Sequence, residues 1–396
     1  MSAQQTIAAE SFRALWRLDP AVAYLNHGSF GACPAAVLDA QMALRLEMER
    51  EPVDFLDGTL PARLDAARQA LAAFIGADPA DLVFVPNATT AVNAVLRSLP
   101  LEPHDEVLVT DHTYGACRKA AEAVAARAGA RVAVAEVPFP LRGEEDVIAA
   151  VLARVTPRTR LALLDHVTSA TALILPIARL IEALRARGVE TLVDGAHAPG
   201  MVPLDLTKLG AAYYTGNAHK WLCAPKGAAF LHARRDRQAS VHPTVVSHGY
   251  GGGFHREFDW TGTCDPTPWL TIPECLRYLG GLLPGGWPQL MARNHALALE
   301  ARDLLLEVYG IAPPCPDAMI GSMASVPLPA PAAGSPAARL DFKGLHAWFR
   351  ERGVETWLNA EPTPVIRVSA QLYNDIEQFQ RLASLLAECW HGRPTG

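Results

Sequence analysis

The sequence predicts an α/β protein: a large domain on a mainly parallel seven-stranded sheet, followed by a small C-terminal α/β domain. Three observations carry that prediction. From about residue 81 short apolar runs alternate with amphipathic helical stretches, the pattern of strands joined by helical crossovers. Half of the 396 residues are hydrophobic, enough to bury a large core in two domains. Beyond residue 280 the pattern changes to a Gly/Pro-rich turn at 283–287, a long helical stretch to about 309 and a Pro/Ala-rich connection at 327–338. The large domain is accordingly placed over 21–280. The small domain takes 281–396 together with an N-terminal arm over 1–20.

Taken in order, a strand is expected over 81–85, then a helix from Thr89 with Val92, Val95, Leu96 and Leu99 on one face. A strand over 106–110 leads into a helix ending near 126, and a third strand follows over 131–137. The next strand covers 160–164. The stretch 176–188 reads as a helix, with proline near its start, glycine at its end, and Ile177, Leu180, Ile181 and Leu184 on one side. Strands over 189–193, 211–215 and 227–232 complete the sheet. In the C-terminal part a helix is expected over 343–352.

Two segments of this sheet carry the chemistry. The run Asp194-Gly-Ala-His197 puts an acid just past the end of a buried strand, the edge where open α/β sheets hold their ligands. The run Thr215-Gly-Asn217-Ala-His219-Lys220-Trp221 puts a lysine between Tyr213, Tyr214 and Trp221, where an ammonium is partly desolvated. A carboxylate that keeps a pyridine nitrogen protonated and a lysine whose neutral amine forms a Schiff base together suggest pyridoxal 5′-phosphate as cofactor. Alone, Asp-Gly is also a common turn and most lysines are solvated. The start of the helix at Thr89 offers amide donors and a hydroxyl to a phosphate, although Asn87 or Thr89 could simply cap it. At the end of strand 106–110, His112 and Tyr114 could face a flat ring and move a proton, or cap the next helix and pack in the core.

Composition excludes other classes. A formal charge of −6 gives no electrostatic case for nucleic acid or an anionic membrane. The seven cysteines are scattered and odd in number, which fits reduced thiols and implies no disulfide framework. No secretory leader and no membrane-length apolar run is read, so a cytoplasmic protein is expected. His242, His248 and His255 lack ligand spacing, so no metal is expected. The glycine-rich run 249–254 lies between no clear strand and helix, so a nucleotide loop is not expected, and it could be a mobile active-site flap.

The ordered motifs resemble the class V aminotransferase family of fold type I pyridoxal enzymes, and within it the isopenicillin N epimerase branch. They are Tyr24-Leu-Asn26-His27-Gly-Ser-Phe-Gly31, Glu51-Pro-Val-Asp-Phe55, Thr110-Asp-His112-Thr-Tyr114-Gly115, 194–200, Gly216-Asn-Ala-His-Lys-Trp221, Gly262-Thr263-Cys-Asp-Pro266 and Ile366-Arg367-Val-Ser369. The resemblance covers most of the chain. It implies Lys220 as the Schiff-base lysine, Asp194 at the pyridine nitrogen, His112 stacked on the ring and His197 beside it. It further implies phosphate contacts from Ala88, Thr89, Asn217 and His219, and Ser169 at the ring hydroxyl. Thr263 would reach the phosphate of the partner subunit's cofactor, so a homodimer with shared active sites is implied. Arg367 matches the arginine that holds the substrate α-carboxylate, with Asn26 and His27 on the substrate side.

One departure stands out. The segment His166-Val-Thr-Ser169-Ala-Thr-Ala172 lacks the glycine of the family's usual turn. The stretch 353–365 also lacks the nucleophilic cysteine of cysteine desulfurases, and Cys264 falls in the expected phosphate loop, which disfavours that activity. The resemblance points to an amino-acid epimerase or racemase acting on an amino acid or peptide, with Tyr114 or His27 as a second acid. The alternatives are a carbon–sulfur β-lyase resembling the hercynylcysteine sulfoxide lyases, an aminotransferase, and a pyridoxal-binding dimer without turnover.

Overall fold

A computed structural model describes residues 12–392; of the arm expected over 1–20, residues 1–11 lie outside the described residues. The chain is α/β. Its strands are β1 (Ala23–Tyr24), β2 (Leu82–Val85), β3 (Glu106–Thr110), β4 (Arg131–Ala135), β5 (Thr159–Asp165), β6 (Glu190–Asp194), β7 (Tyr213–Asn217), β8 (Ala229–Ala233), β9 (Met323–Pro327), β10 (Val354–Glu355), β11 (Trp357–Asn359) and β12 (Val365–Ser369). Seven of them form one sheet in the order β2-β8-β7-β6-β5-β3-β4. Only β8 runs against the others, pairing antiparallel with β2 and β7.

Side-chain alternation splits the core into two layers. Leu82 and Phe84 of β2, Leu108 of β3, Ala162 and Leu164 of β5, and Val193 of β6 join one cluster. Val83, Val85, Val107, Val109, Leu161, Leu163 and Leu192 face the other, beneath helices Ala88–Ser98 and Gly115–Ala128. Burial on both faces explains why these strands read as continuous apolar runs rather than alternating ones. Among the described residues no helix is long and apolar enough to cross a membrane.

The C-terminal sheet is antiparallel, in the order β11-β12-β9, and the helices Gly286–Tyr309 and Ile376–His391 pack together beside it. The Pro/Ala connection is held by Trp390, whose indole donates to the Pro329 carbonyl at 2.9 Å. Near the beginning of the described chain, β1 pairs with β10, so residues 23–24 are tied to the C-terminal part.

The segment without the family's glycine still makes a tight turn. Ala172 takes φ +56, and the Thr168 hydroxyl accepts the Leu173 amide at 2.8 Å. An alanine carries the left-handed conformation there at a cost of about 1–2 kcal/mol.

Candidate active site

The ends of β5, β6 and β7 and the start of helix Ala88–Ser98 enclose a cavity of about 360 Å3, a size suited to a small cofactor. Ala88, Thr89, Tyr114, Ser169, Asp194, His197, Asn217, His219 and Lys220 all line it. The remaining expected residues lie elsewhere. His27 and Arg367 are buried behind the wall, Thr263 is exposed outside this chain's cavity, and Asn26 lines a neighbouring cavity of about 550 Å3. His112 lines an adjoining cavity of about 270 Å3 with Tyr114, Ser169 and Trp357.

Lys220 sits three residues past β7 because the loop doubles back against the opposite loop of the chain. Gly31 makes that approach possible. It has φ +69, and a Cβ there would lie 2.0 Å from the His219 carbonyl oxygen. Gly31→Ala is therefore expected to cost about 2–4 kcal/mol in urea unfolding, since both the conformation and the space forbid the methyl. A loss below 0.5 kcal/mol would show that the loops part freely.

The hydrogen bonds around Lys220 set its state. The Trp221 indole, a donor only, reaches His197 Nδ1 at 3.4 Å, so Nδ1 is an acceptor and the imidazole proton is on Nε2. That Nε2 lies 3.0 Å from Lys220 Nζ, and in this tautomer it donates to the amine's lone pair whenever Lys220 is unprotonated. Burial, then the Arg367 charge, lowers the Lys220 pKa from 10.5 to about 8, and the same burial holds His197 well below the usual imidazole range. Both effects favour a neutral amine.

Asp194 is 3 % exposed. One carboxylate oxygen accepts the Ala196 amide at 3.0 Å and the other accepts the Cys117 thiol at 3.2 Å. Burial raises its pKa, while the thiol, the amide and Lys220 act the other way. At the opposite end Asn87 caps the helix by accepting the Thr90 amide at 2.8 Å, and Asn217 accepts the Ala88 amide at 2.9 Å. His219 Nδ1 donates to the Ala228 carbonyl at 3.0 Å, leaving Nε2 available; burial depresses its pKa to about 4. A dianion at this helix start would counter that depression.

This set fits pyridoxal phosphate. A buried carboxylate suits a cation such as a protonated ring nitrogen, a lysine whose pKa is lowered toward neutrality suits an aldehyde, and a helix start suits a phosphate. The two other histidines are spent on the frame. His112 Nε2 donates to Val137 O at 3.0 Å and its Nδ1 accepts from Thr171 at 2.6 Å. His27 Nε2 donates to Lys220 O at 2.9 Å and Nδ1 accepts from the Tyr373 hydroxyl at 2.8 Å, with burial lowering its pKa to about 3. His27 thus holds the lysine loop from behind.

Arg367, at the centre of β12, donates to the Ser169 carbonyl at 2.5 Å, Asn26 Oδ1 at 3.2 Å and Ser29 Oγ at 3.0 Å. Its guanidinium stacks 4.5 Å above the Trp357 ring, and Nε has no partner. The run 249–254 does not line the cavity; the Gly251 amide donates to Glu257 in the adjacent helix.

A family model for class-V aminotransferases matches residues 33–382. The chain belongs to the class-V aminotransferase family. As an enzyme of this family it uses pyridoxal 5′-phosphate. Isopenicillin N epimerase of Streptomyces clavuligerus is 39% identical over 396 residues, covering 95% of this chain and 97% of that protein. A putative L-cysteine desulfhydrase of Oryza sativa subsp. japonica is 34% identical over 414 residues, covering 96% and 86% respectively. The solved structure of a cystine C–S lyase in complex with its product cysteine persulfide has a TM-score of 0.79 at 23% identity, covering 93% of this chain and 98% of that one. The two chains share a fold.

The cavity also contains Asp165 and Ser29, which the sequence did not mark as site residues, and Asn87, read there only as a helix cap. Asp165 carried the same signal as Asp194, an acid ending a buried strand.

Proposed function

We propose that this enzyme inverts or exchanges hydrogen at the α-carbon of an amino acid or short peptide, as an epimerase or racemase. The observation that carries the reading is the Lys220 amine, its pKa lowered by burial to about 8 and its Nζ 3.0 Å from His197 Nε2, in the same cavity as the Tyr114 phenol. Asp194 would hold the ring nitrogen and the helix start at Thr89 the phosphate. Bound there, pyridoxal phosphate supplies an electron sink that acidifies the α-proton of an attached amino acid.

The chain's own residues then divide the work. Arg367 would hold the α-carboxylate through its planar fork, after Ser29 and Ser169 yield their places to it. Lys220 Nζ would take the α-proton as general base. Tyr114 lies at the mouth, 46% exposed, and burial of its ring raises its pKa, so it holds its proton at neutral pH. Delivery from the Tyr114 hydroxyl on the opposite side would give inversion. The 39% identity to an isopenicillin N epimerase supports this outcome.

A second reading, carbon–sulfur β-elimination, is supported by the 34% identity to a desulfhydrase. Persulfide formation on the enzyme is disfavoured, because no cysteine lines the cavity and Cys264 is exposed outside it. Incubation of the loaded enzyme in heavy water with a δ-aminoadipyl tripeptide, cysteine, and cysteine S-conjugates or sulfoxides separates the two by NMR. Deuterium entry with inversion is the expected result. Stoichiometric pyruvate and ammonia would establish the lyase instead.

The reading includes a homodimer, with Thr263 turned toward the partner subunit's cofactor phosphate. Phe30, at 71% exposure on the cavity rim, and the exposed Met42, Leu46 and Val53 support an apolar face there. Sedimentation velocity is expected to give a dimer at micromolar concentration; a monomer would remove the shared-site part of the reading.

A further inference from the structure

One buried acid at the cavity has no role in the chemistry above. Asp165 ends β5 as Asp194 ends β6, and the two are register partners in the parallel ladder. Leu161 and Leu163 on β5 and Leu192 on β6 face the layer of helices Ala88–Ser98 and Gly115–Ala128. The two-residue period puts both acids on that same face, side by side. Each is 3% exposed and each lines the cavity.

Two neighbouring carboxyl groups removed from water do not both ionise. The hydrogen bonds distinguish them. Both oxygens of Asp194 accept, one from the Ala196 amide and one from the Cys117 thiol, as an ionised carboxylate does. Asp165 Oδ1 accepts the Tyr114 amide at 3.3 Å and the Thr113 hydroxyl also favours the ionised carboxyl, but Oδ2 is enclosed and makes no hydrogen bond. A buried carboxyl oxygen without a hydrogen bond, in register and on one face with a second carboxyl group, is where a proton resides.

We propose that Asp165 is a carboxylic acid in the resting protein, that its Oδ2 proton is shared with Asp194, and that the pair presents a single negative charge to the cavity. The assignment of that charge to the ring-nitrogen end rests on the cofactor reading above. Burial and the Asp194 charge push the Asp165 carboxyl well above the usual range, in agreement with this arrangement. The other titratable groups around the pair are Cys117 and Tyr114 on the helix side, Tyr214 on β7, and Lys220. The single charge matters to Lys220, because both Asp194 and Asp165, if ionised, raise its pKa. Asp165 is thus a positioning residue: it keeps one charge for one ring cation and leaves the lysine free to be an amine.

Infrared spectroscopy of the cofactor-free protein at pH 7 tests this without any turnover. The protonated-carboxyl carbonyl band is expected in the wild type and absent from Asp165→Asn. No such band, or one that persists in D165N, would overturn the proposal. Should D165N fail to fold, the pH titration of 13C-labelled aspartate in the wild type reads the same proton, and a buried carboxyl already ionised at pH 7 in both acids gives the same refutation. In the loaded protein the single charge can move to Asp165 when Asp194 is lost. Asp194→Asn combined with D165N is therefore expected to weaken cofactor binding about ten-fold beyond the product of the single losses; simple additivity would refute the shared charge. If D194N leaves the cofactor's visible spectrum unchanged, the cofactor reading fails, while the infrared result stands by itself.

Discussion

Lys220→Ala protein is expected to carry no cofactor on its chain after borohydride reduction, whereas the wild type yields a single modified peptide containing Lys220. α-Proton exchange falls with it, by about 10^3-fold or more, because a positioned base and the covalent attachment point are lost together. The structural cost is small by comparison. His197 Nε2 loses its acceptor at 3.0 Å, worth about 1 kcal/mol, and the fold keeps its sheet and both core layers. The wild type gives a companion measurement. With a pKa near 8 in place of 10.5, roughly one Lys220 in ten is a free amine at pH 7, against roughly one in three thousand for an ordinary lysine. The rate at which cofactor-free protein captures pyridoxal phosphate should rise with pH through about 8 and then level. A rate still climbing toward pH 10.5 would contradict the desolvated amine, and a lysine-linked cofactor surviving in K220A would overturn the assignment outright.

Arg367→Gln is the second large effect. The guanidinium is 1% exposed and spends its donors on Ser169, Asn26 and Ser29. Losing a buried, hydrogen-bonded partner of a substrate charge costs about 2–5 kcal/mol, so kcat/KM for amino acids is expected to drop about 10^2- to 10^3-fold. Arg367→Lys keeps the charge without the fork and should recover only part of that loss. Amines lacking the α-carboxylate serve as the control, since their turnover has no such anchor to lose. An equal loss with those amines would mean that Arg367 supports the fold rather than the carboxylate. The variant has a second signature: Arg367 is the main charge that lowers the Lys220 pKa, so the capture midpoint should move above 8.

Much of this was readable from residue order, and for a physical reason. Strands buried on both faces leave long apolar runs, and acids that follow such runs end up at the ligand edge, which is how Asp194 could be selected. The same rule applied to Asp165, which follows the strand read over 160–164 as Asp194 follows the one read over 189–193; what singled out Asp194 was its pairing with Lys220 downstream. The resemblance implies His112 against the cofactor ring and His27 on the substrate side, while the residues alone also allow His112 to cap the following helix. Sequence does not reveal that both ring nitrogens of each are taken by Tyr373, Lys220, Thr171 and Val137, contacts that bridge up to 346 residues. The tautomer of His197 was equally illegible, because it depends on the direction of one indole N–H in the folded loop.

The pairing of Ala23–Tyr24 with Val354–Glu355 gives the site an assembly order. Arg367 and Asn26, which share a hydrogen bond, are 341 residues apart in the chain. Asp194 and the loop carrying Lys220 can meet through local crossovers, whereas Arg367 joins them only when the two ends of the chain pair, a contact of high sequence separation. If Arg367 holds the α-carboxylate as proposed, a chain ending before residue 367 would carry Asp194 and Lys220 without an anchor for an amino acid.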